Sequence, residues 1–306
     1  MSRFLPWRAL RAALTVFVVL ALCFAAIRLA GSPADILFPD GATPEQIVEL
    51  ERQWGLDRSL PEQFGVYLAN LARGEFGNSI IERRPVTEVY AEKLAPTLQL
   101  AALSLLIAIT VGIPLGVIAA LQRGRAAARV AMSIAFLGYA VPHFIIAIAL
   151  ILVFSYHLHW LPSTGAHSAT HYVLPAVTLA LPLIAALARF MRGAMLDVIR
   201  QDFVRTARAK GISETRVITL HVMRNALLPL ITVLGLEKSG LVNGSLIVET
   251  VFSWPGLGKV LTGSVSRRDF PVLQFGVVAY ACVVVAINLT VDVLYAAADP
   301  RVRVET

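Results

Sequence analysis

The run LAPTLQLAALSLLIAITVGIPLGVIAAL, from Leu94 to Leu121, contains no charged residue. About 20 consecutive apolar residues suffice to cross a bilayer core as a helix, so this stretch predicts a membrane span. Comparable runs cover about Ala12–Ala30, Val130–Tyr156, Tyr172–Phe190, Ala226–Val248 and Val272–Ala298. The chain as a whole is 57% apolar and 15% charged, with a mean hydropathy of +0.71. A soluble domain carries about a quarter charged residues. The 306 residues therefore read as one polytopic membrane protein rather than two soluble domains.

The segments between the runs set the orientation. The start, MSRFLPWRALR, brings Arg3, Arg8 and Arg11 ahead of the first run. A basic start plus an apolar run also describes a signal peptide. Five later runs, and Leu22 rather than a small residue before Cys23, favour a retained first span. With that end inside, the inside segments collect Arg123, Arg125, Arg129, Arg189, Arg192, Arg200, Arg205, Arg208, Lys210, Arg216, Arg224, Arg301 and Arg303. The loop from His157 to His171 has no Lys or Arg, and the segment Gly31–Lys93 holds eleven acidic against six basic residues. Lys and Arg concentrate in cytoplasmic loops. The expected fold is an all-α membrane protein with six transmembrane helices and both termini cytoplasmic. Its +7 charge belongs to those loops; no basic patch stands beside a soluble fold, so nucleic acid is not an expected partner. Cys23 and Cys282 sit in apolar runs and read as small buried hydrophobes, not a disulfide framework.

Three parts follow: residues 1–30 as tail and first span, 31–93 as a small helical subdomain outside the membrane, and 94–306 as the core. In the outer part, Thr43-Pro44-Glu45-Gln46 and Ser59-Leu60-Pro61-Glu62 carry capping-box signals, in which a hydroxyl and a side chain three residues on satisfy each other's backbone donors. Ile47, Leu50 and Trp54 share one face, as do Phe64, Tyr67, Leu68 and Leu71, with Gly55 and Gly74 as left-handed stops. So small a piece lacks a core of its own and should pack on the spans.

The most basic interruption is DFVRTARAKGISETRVITLHVMRNALLP, Asp202 to Pro229. Ile199, Phe203 and Ala207 recur at four-residue spacing, Gly211 suits a left-handed stop, and Ser213 can cap a second helix whose apolar face is Ile218 and Val222. Two short helices at an angle make a knob that fits a partner's groove. Anionic lipid headgroups would also hold such a basic surface, and the residues alone leave both readings open.

Val204-Arg205-Thr206-Ala207-Arg208-Ala209-Lys210-Gly211, continued by Arg224-Asn225-Ala226-Leu227-Leu228-Pro229, resembles the coupling (EAA) loop of ABC-transporter permeases, and more narrowly the dipeptide/oligopeptide/nickel permease family. Leu56-Asp57, Gly74-Glu75-Phe76-Gly77-Asn78-Ser79, Arg84-Pro85-Val86, Pro96-Thr97, Val248 through Gly258 and the ending Asp299-Pro300-Arg301-Val302-Arg303 extend the likeness over nearly the whole chain. Two departures stand out: Arg205-Thr206-Ala207 replaces Glu-Ala-Ala, and Arg224 falls where the general motif has proline. The resemblance implies a type I ABC importer permease of the bacterial inner membrane. It implies a coupling loop at about 197–226, with Asp202, Arg205, Thr206, Ala207, Arg208, Lys210, Gly211 and Ser213 meeting an ATPase. The implied partners are a second, homologous permease in a heterodimer, two cytoplasmic ATPases, a periplasmic solute-binding protein and membrane lipid. The chain has no GxxxxGK[ST] loop to cradle phosphates. It is therefore not expected to be an enzyme or to bind a cofactor; ATP and Mg belong to the ATPases.

Polar residues within spans are costly and tend to face cavities. Glu237, Lys238, Asn243 and Ser245 on the fifth run are thus the expected lining of a translocation path. His157, His159, His167 and His171 lack an accompanying Cys, Asp or Glu and read as exposed loop histidines without a metal. Gly112-x-x-x-Gly116 and Gly240-x-x-x-Gly244 fit close helix packing. The turn Ser253-Trp254-Pro255-Gly256 suits a gate or a rigid connector, and His143 reads as a packed polar group. Peptides, including dipeptides and glutathione, are the expected cargo, with nickel complexes or opine-like compounds as alternatives. A secondary transporter would show inverted repeats with paired broken helices, and no clear internal repeat is present.

Overall fold

The computed structural model describes residues 4–29, 43–53, 55–227, 230 and 244–298. In chain order the helices are α1 (Phe4–Leu29), α2 (Pro44–Gln53), α3 (Leu60–Ala72), α4 (Val86–Leu121), α5 (Ala126–Ala140), α6 (His143–Leu150), α7 (Val173–Ile199), α8 (Asp202–Ala209), α9 (Glu214–Arg216), α10 (Leu257–Ser266) and α11 (Phe270–Ala298). A π-helical turn, Ile151–His157, continues α6, and another, Val217–Met223, continues α9. A further helical stretch covers 244–251. Among the described residues the only strand-like pairing is an isolated bridge between Asn78 and Pro85.

Among the described residues four helical stretches are long and apolar enough to cross a membrane: Trp7–Leu29, Val86–Leu121, Ala169–Ile199 and Phe270–Thr290. The second begins earlier than Leu94, because the polar residues from Val86 onward still propagate a helix, and Pro96 and Pro114 are carried within it. The third apolar run is not one helix. It breaks between α5 and α6, where Pro142 takes an extended conformation (φ −57°, ψ 141°). Proline offers no N–H and pushes the preceding residue out of the helical region, so His143–His157 is a shorter apolar helix. The fourth run continues beyond Phe190 to Ile199. Most of Ala226–Val248 lies outside the described residues.

The chain forms two compact units, one from residues 1–95 with 259–289 and one from 96–258 with 290–299. In the first unit both capping boxes form. The Thr43 N–H donates to Gln46 Oε1 at 2.9 Å and the Gln46 N–H to Thr43 Oγ1 at 3.3 Å; the Ser59 N–H donates to Glu62 at 3.1 Å. Hydrogen bonds from Ser59 hold the Glu62 carboxyl below its usual range. Gly55 and Gly74 take the left-handed stops (φ +64° and +79°). Leu50 is buried as expected, while Trp54 lies outside the described residues. Phe64 meets Phe17 and Phe24 of α1 at ring distances of 5.9 and 5.2 Å, and Tyr67 stacks on Phe24 at 6.0 Å. The aromatic stripe of α3 therefore rests on α1. At the start of α11, buried Asp269 accepts from the Ser79 hydroxyl at 2.5 Å and the Ile80 N–H at 3.2 Å. Cys282 on α11 is exposed, which corrects the expectation of burial: an apolar helix need not bury each small residue.

The second unit is built around α7, with Leu179, Leu183, Leu187, Met191 and Met195 all buried. The Gly112/Gly116 face of α4 lies against its backbone. A Cβ at Gly116 would sit 2.6 Å from the Ala188 carbonyl oxygen and 2.7 Å from Met191 Cβ; at Gly112 the closest approaches would be 3.0 Å. Small residues permit this contact. Overpacking costs about 1–3 kcal/mol, so Gly116→Ala should lower the melting temperature of the detergent-solubilised protein more than Gly112→Ala. Equal melting of Gly116→Ala and wild type would contradict the packing.

Candidate functional site

The coupling-loop residues gather on a protruding turn. α7 stops at Ile199, and extended Gln201 (φ −70°, ψ 149°) resets the chain for α8. Asp202 lies in the first turn of α8 and Arg208 in the last, the arrangement a helix dipole favours. The Thr206 hydroxyl donates to the Asp202 carbonyl at 3.0 Å. Gly211 (φ +76°) then closes α8: its N–H donates to the Arg208 carbonyl at 2.9 Å and the Ile212 N–H to the Ala207 carbonyl at 3.4 Å. That pair of bonds is a Schellman stop, which satisfies carbonyls a helix end leaves open. Ser213 precedes α9 in extended geometry, but its hydroxyl makes no capping bond; the start of α9 rests instead on the Val217 N–H donating to the Ser213 carbonyl at 2.9 Å.

Burial sorts the faces. Val204 and Ala207 are buried with Val217, Ile218 and Val222, in one cluster with Leu187, Met191 and Met195. Ile218 and Val222 match the expected second apolar face. The first matches at Ile199 and Ala207 but not at Phe203, which is 44% exposed, and Val204 packs inward instead. Ile199 ends α7, so its spacing to Phe203 runs across a change of helix axis. Asp202, Phe203, Arg205, Thr206, Arg208, Lys210, Gly211 and Ser213 all lie on the surface; Ala207 faces in. Arg208 donates to both Glu214 oxygens, at 3.0 and 2.6 Å, clasping the two helices across the turn. Those bonds hold the Glu214 carboxyl below its usual range, so this contribution is present at neutral pH and is lost as pH falls through the depressed pKa. Exposed pairs contribute about 0.2–1 kcal/mol. Asp202 and Arg205 approach at 3.5 Å and are well exposed. The arrangement is a clasped pair of short helices anchored by apolar side chains, with charge and an aromatic ring on its outer surface.

Of the expected path residues, Ser245 is buried on the helical stretch 244–251. Glu237, Lys238 and Asn243 lie outside the described residues. His167 and His171 have rings 5.6 Å apart, and the Ser168 hydroxyl lies 2.8 Å from His171 Nδ1. Among the described residues no three His, Cys, Asp or Glu side chains group to hold a metal.

One constellation was not anticipated. Glu249, fully buried, accepts from the Thr97 hydroxyl at 2.7 Å and from the Gly258 N–H at 2.6 Å. Thr97 Oγ1 in turn accepts from the Leu257 N–H at 2.8 Å, and the buried Trp254 indole donates to the Pro96 carbonyl at 3.1 Å. A Cβ at Gly256 would lie 2.5 Å from Thr97 Oγ1. The Ser253–Gly256 turn is thus a rigid connector locked onto Pro96-Thr97. A carboxylate closing an apolar run, followed by glycines at 256 and 258, is the signal that marks it in the sequence.

Residues 112–304 match the family described as binding-protein-dependent transport system inner membrane component, and residues 1–101 match the family of its N-terminal part. Over 294 residues the chain is 45% identical to the glutathione transport system permease protein GsiC of Escherichia coli (strain K12), covering 94% of this chain and 95% of that protein. The same identity and coverage hold for the protein of that name from Shigella dysenteriae serotype 1. Among solved structures, an inward-facing conformation of the MetNI methionine ABC transporter aligns with a TM-score of 0.57 at 19% identity, covering 68% of this chain and 95% of that one. An amino acid ABC transporter crystallised with histidines aligns with a TM-score of 0.52 at 19% identity, covering 68% and 93%. These neighbours share the fold.

Proposed function

The chain belongs to the family of binding-protein-dependent transport system inner membrane components, and on that premise we propose that it is the membrane-spanning subunit of an ATP-driven importer of peptides, glutathione among them. It is a multi-pass protein of the inner membrane. The observation that carries the cargo class is the likeness, over nearly the full length of both chains, to glutathione permeases.

In this reading six spans cross the membrane with both termini inside and residues 31–93 outside. A second, homologous permease completes the path, and a solute-binding protein delivers the peptide. Two ATPases hold ATP and Mg²⁺, and each seats one permease knob. Here the knob is Asp202–Ser213, with Phe203, Arg205, Thr206 and Lys210 meeting the ATPase. ATP binding closes the ATPase pair, moves the knobs and opens the path outward; hydrolysis resets it. Because Val204 and Ala207 share one apolar cluster with Val217, Val222 and the α7 residues Leu187, Met191 and Met195, a push on the knob reaches α7 through that cluster. Glu237, Lys238, Asn243 and Ser245 line the path.

The test is reconstitution of the chain with its partner permease, ATPases and binding protein in liposomes, with ATP inside or outside. ATP-dependent uptake of glutathione or dipeptides is the expected result. Uptake driven by an ion gradient without ATPases would overturn the importer reading, and uptake of nickel complexes alone would overturn the cargo.

A further inference from the structure

Pro142 breaks the third apolar run near its middle, and the residue that follows is His143. An ionisable side chain at that depth is costly and faces a bundle interior or a water-filled cavity. Non-helical backbone is tolerated there only under the same conditions. On α6, positions 143, 146, 147 and 150 fall on one stripe. Ile146 and Ala147 are buried, and Leu150 packs in the core cluster of Ala147, Leu179 and Phe252. The opposite side, with Phe144, Ile145 and Ile148, is exposed. His143 therefore points inward, away from the apolar outer face. A Cβ at Gly244 would lie 2.9 Å from His143 Nε2 and 3.1 Å from Leu179 Cδ2, which fixes the ring against the helical stretch 244–251, beside Ser245. Yet His143 is only half-buried.

A packed polar group would be enclosed, and a lipid-facing one would lie on the other stripe. We propose that His143 is a polar lining residue of the translocation path, contributed by the third span, where its imidazole offers a hydrogen bond to the main-chain amides and terminal carboxylate of a passing peptide. Gly244 is the residue that leaves room for the ring. This rests on the reading of the chain as a peptide-import permease.

The test uses the reconstituted complex. His143→Leu should lower peptide uptake about tenfold or more, while His143→Gln, which keeps a hydrogen-bonding end, should stay within about threefold of wild type. In a background carrying Cys23→Ala and Cys282→Ala, His143→Cys should react with a small membrane-impermeant thiosulfonate, and saturating peptide should slow that reaction during turnover. Uptake by His143→Leu equal to wild type would overturn the proposal, as would a His143→Cys thiol that stays unlabelled. If the Leu variant does not assemble with its partners, the labelling decides. Wild-type complex that imports no peptide at all would instead overturn the peptide-cargo reading on which this rests.

Discussion

Glu249→Leu is expected to produce the largest loss of stability of any substitution considered for this chain. The carboxylate is fully buried and accepts from the Thr97 hydroxyl and the Gly258 N–H. Leucine fills comparable volume but accepts nothing, so the bonds from Thr97 and Gly258 to the carboxylate are lost. A hydrogen bond to a charged group contributes about 1.5–3 kcal/mol, so losing the two costs about 3–6 kcal/mol. Glu249→Gln keeps one acceptor oxygen but turns an amide N–H₂ toward the second donor, and should fall between. Thr97→Val in the Glu249→Leu background should cost less than in wild type, because the bond to Glu249 that it removes is already gone; partners in one network are not additive. Fraction folded after heating, read by size-exclusion chromatography in detergent, checks each case. A Glu249→Leu protein melting with wild type would show that the network does not hold the turn.

Much of the architecture is legible because membrane spans obey a composition rule that needs no tertiary information. The charge-free run Leu94–Leu121 ends with its helix at Leu121, and α11 covers the sixth run, Val272–Ala298. Local chemistry is equally legible where the residues that decide it are adjacent, as at Thr43–Gln46, Gly74 and Gly211. What escaped depends on contacts distant in sequence or on a change of axis. Val130–Tyr156 reads as one run by hydropathy, and only the backbone requirement of Pro142 splits it. The four-residue periodicity that puts Phe203 on the inner face of α8 runs across the end of α7, and Val204 is the residue that packs. Thr97 and Glu249 are 152 positions apart, and no spacing rule joins them.

Gly211→Val is expected to uncouple ATP hydrolysis from uptake while leaving the protein inserted. A Cβ at position 211 would meet nothing within 4 Å, so the substitution disturbs no packing. Its effect is confined to the backbone: φ is +76°, where a β-branched residue is a genuine outlier and other L-residues are strained by about 1–2 kcal/mol. The strain is relieved by abandoning the left-handed stop, which breaks the bonds from Gly211 to Arg208 and from Ile212 to Ala207 and changes the angle between α8 and α9. The Arg208–Glu214 clasp, exposed as it is, contributes too little to hold the old geometry. Asparagine visits the left-handed region at low cost, so Gly211→Asn should keep most of the uptake, where Gly211→Val loses about tenfold or more per ATP hydrolysed. Knob geometry thereby separates from residue size, since the two side chains are close in volume. If Gly211→Val and Gly211→Asn transport alike at the wild-type ratio of peptide to ATP, the turn carries no force between ATPase and membrane.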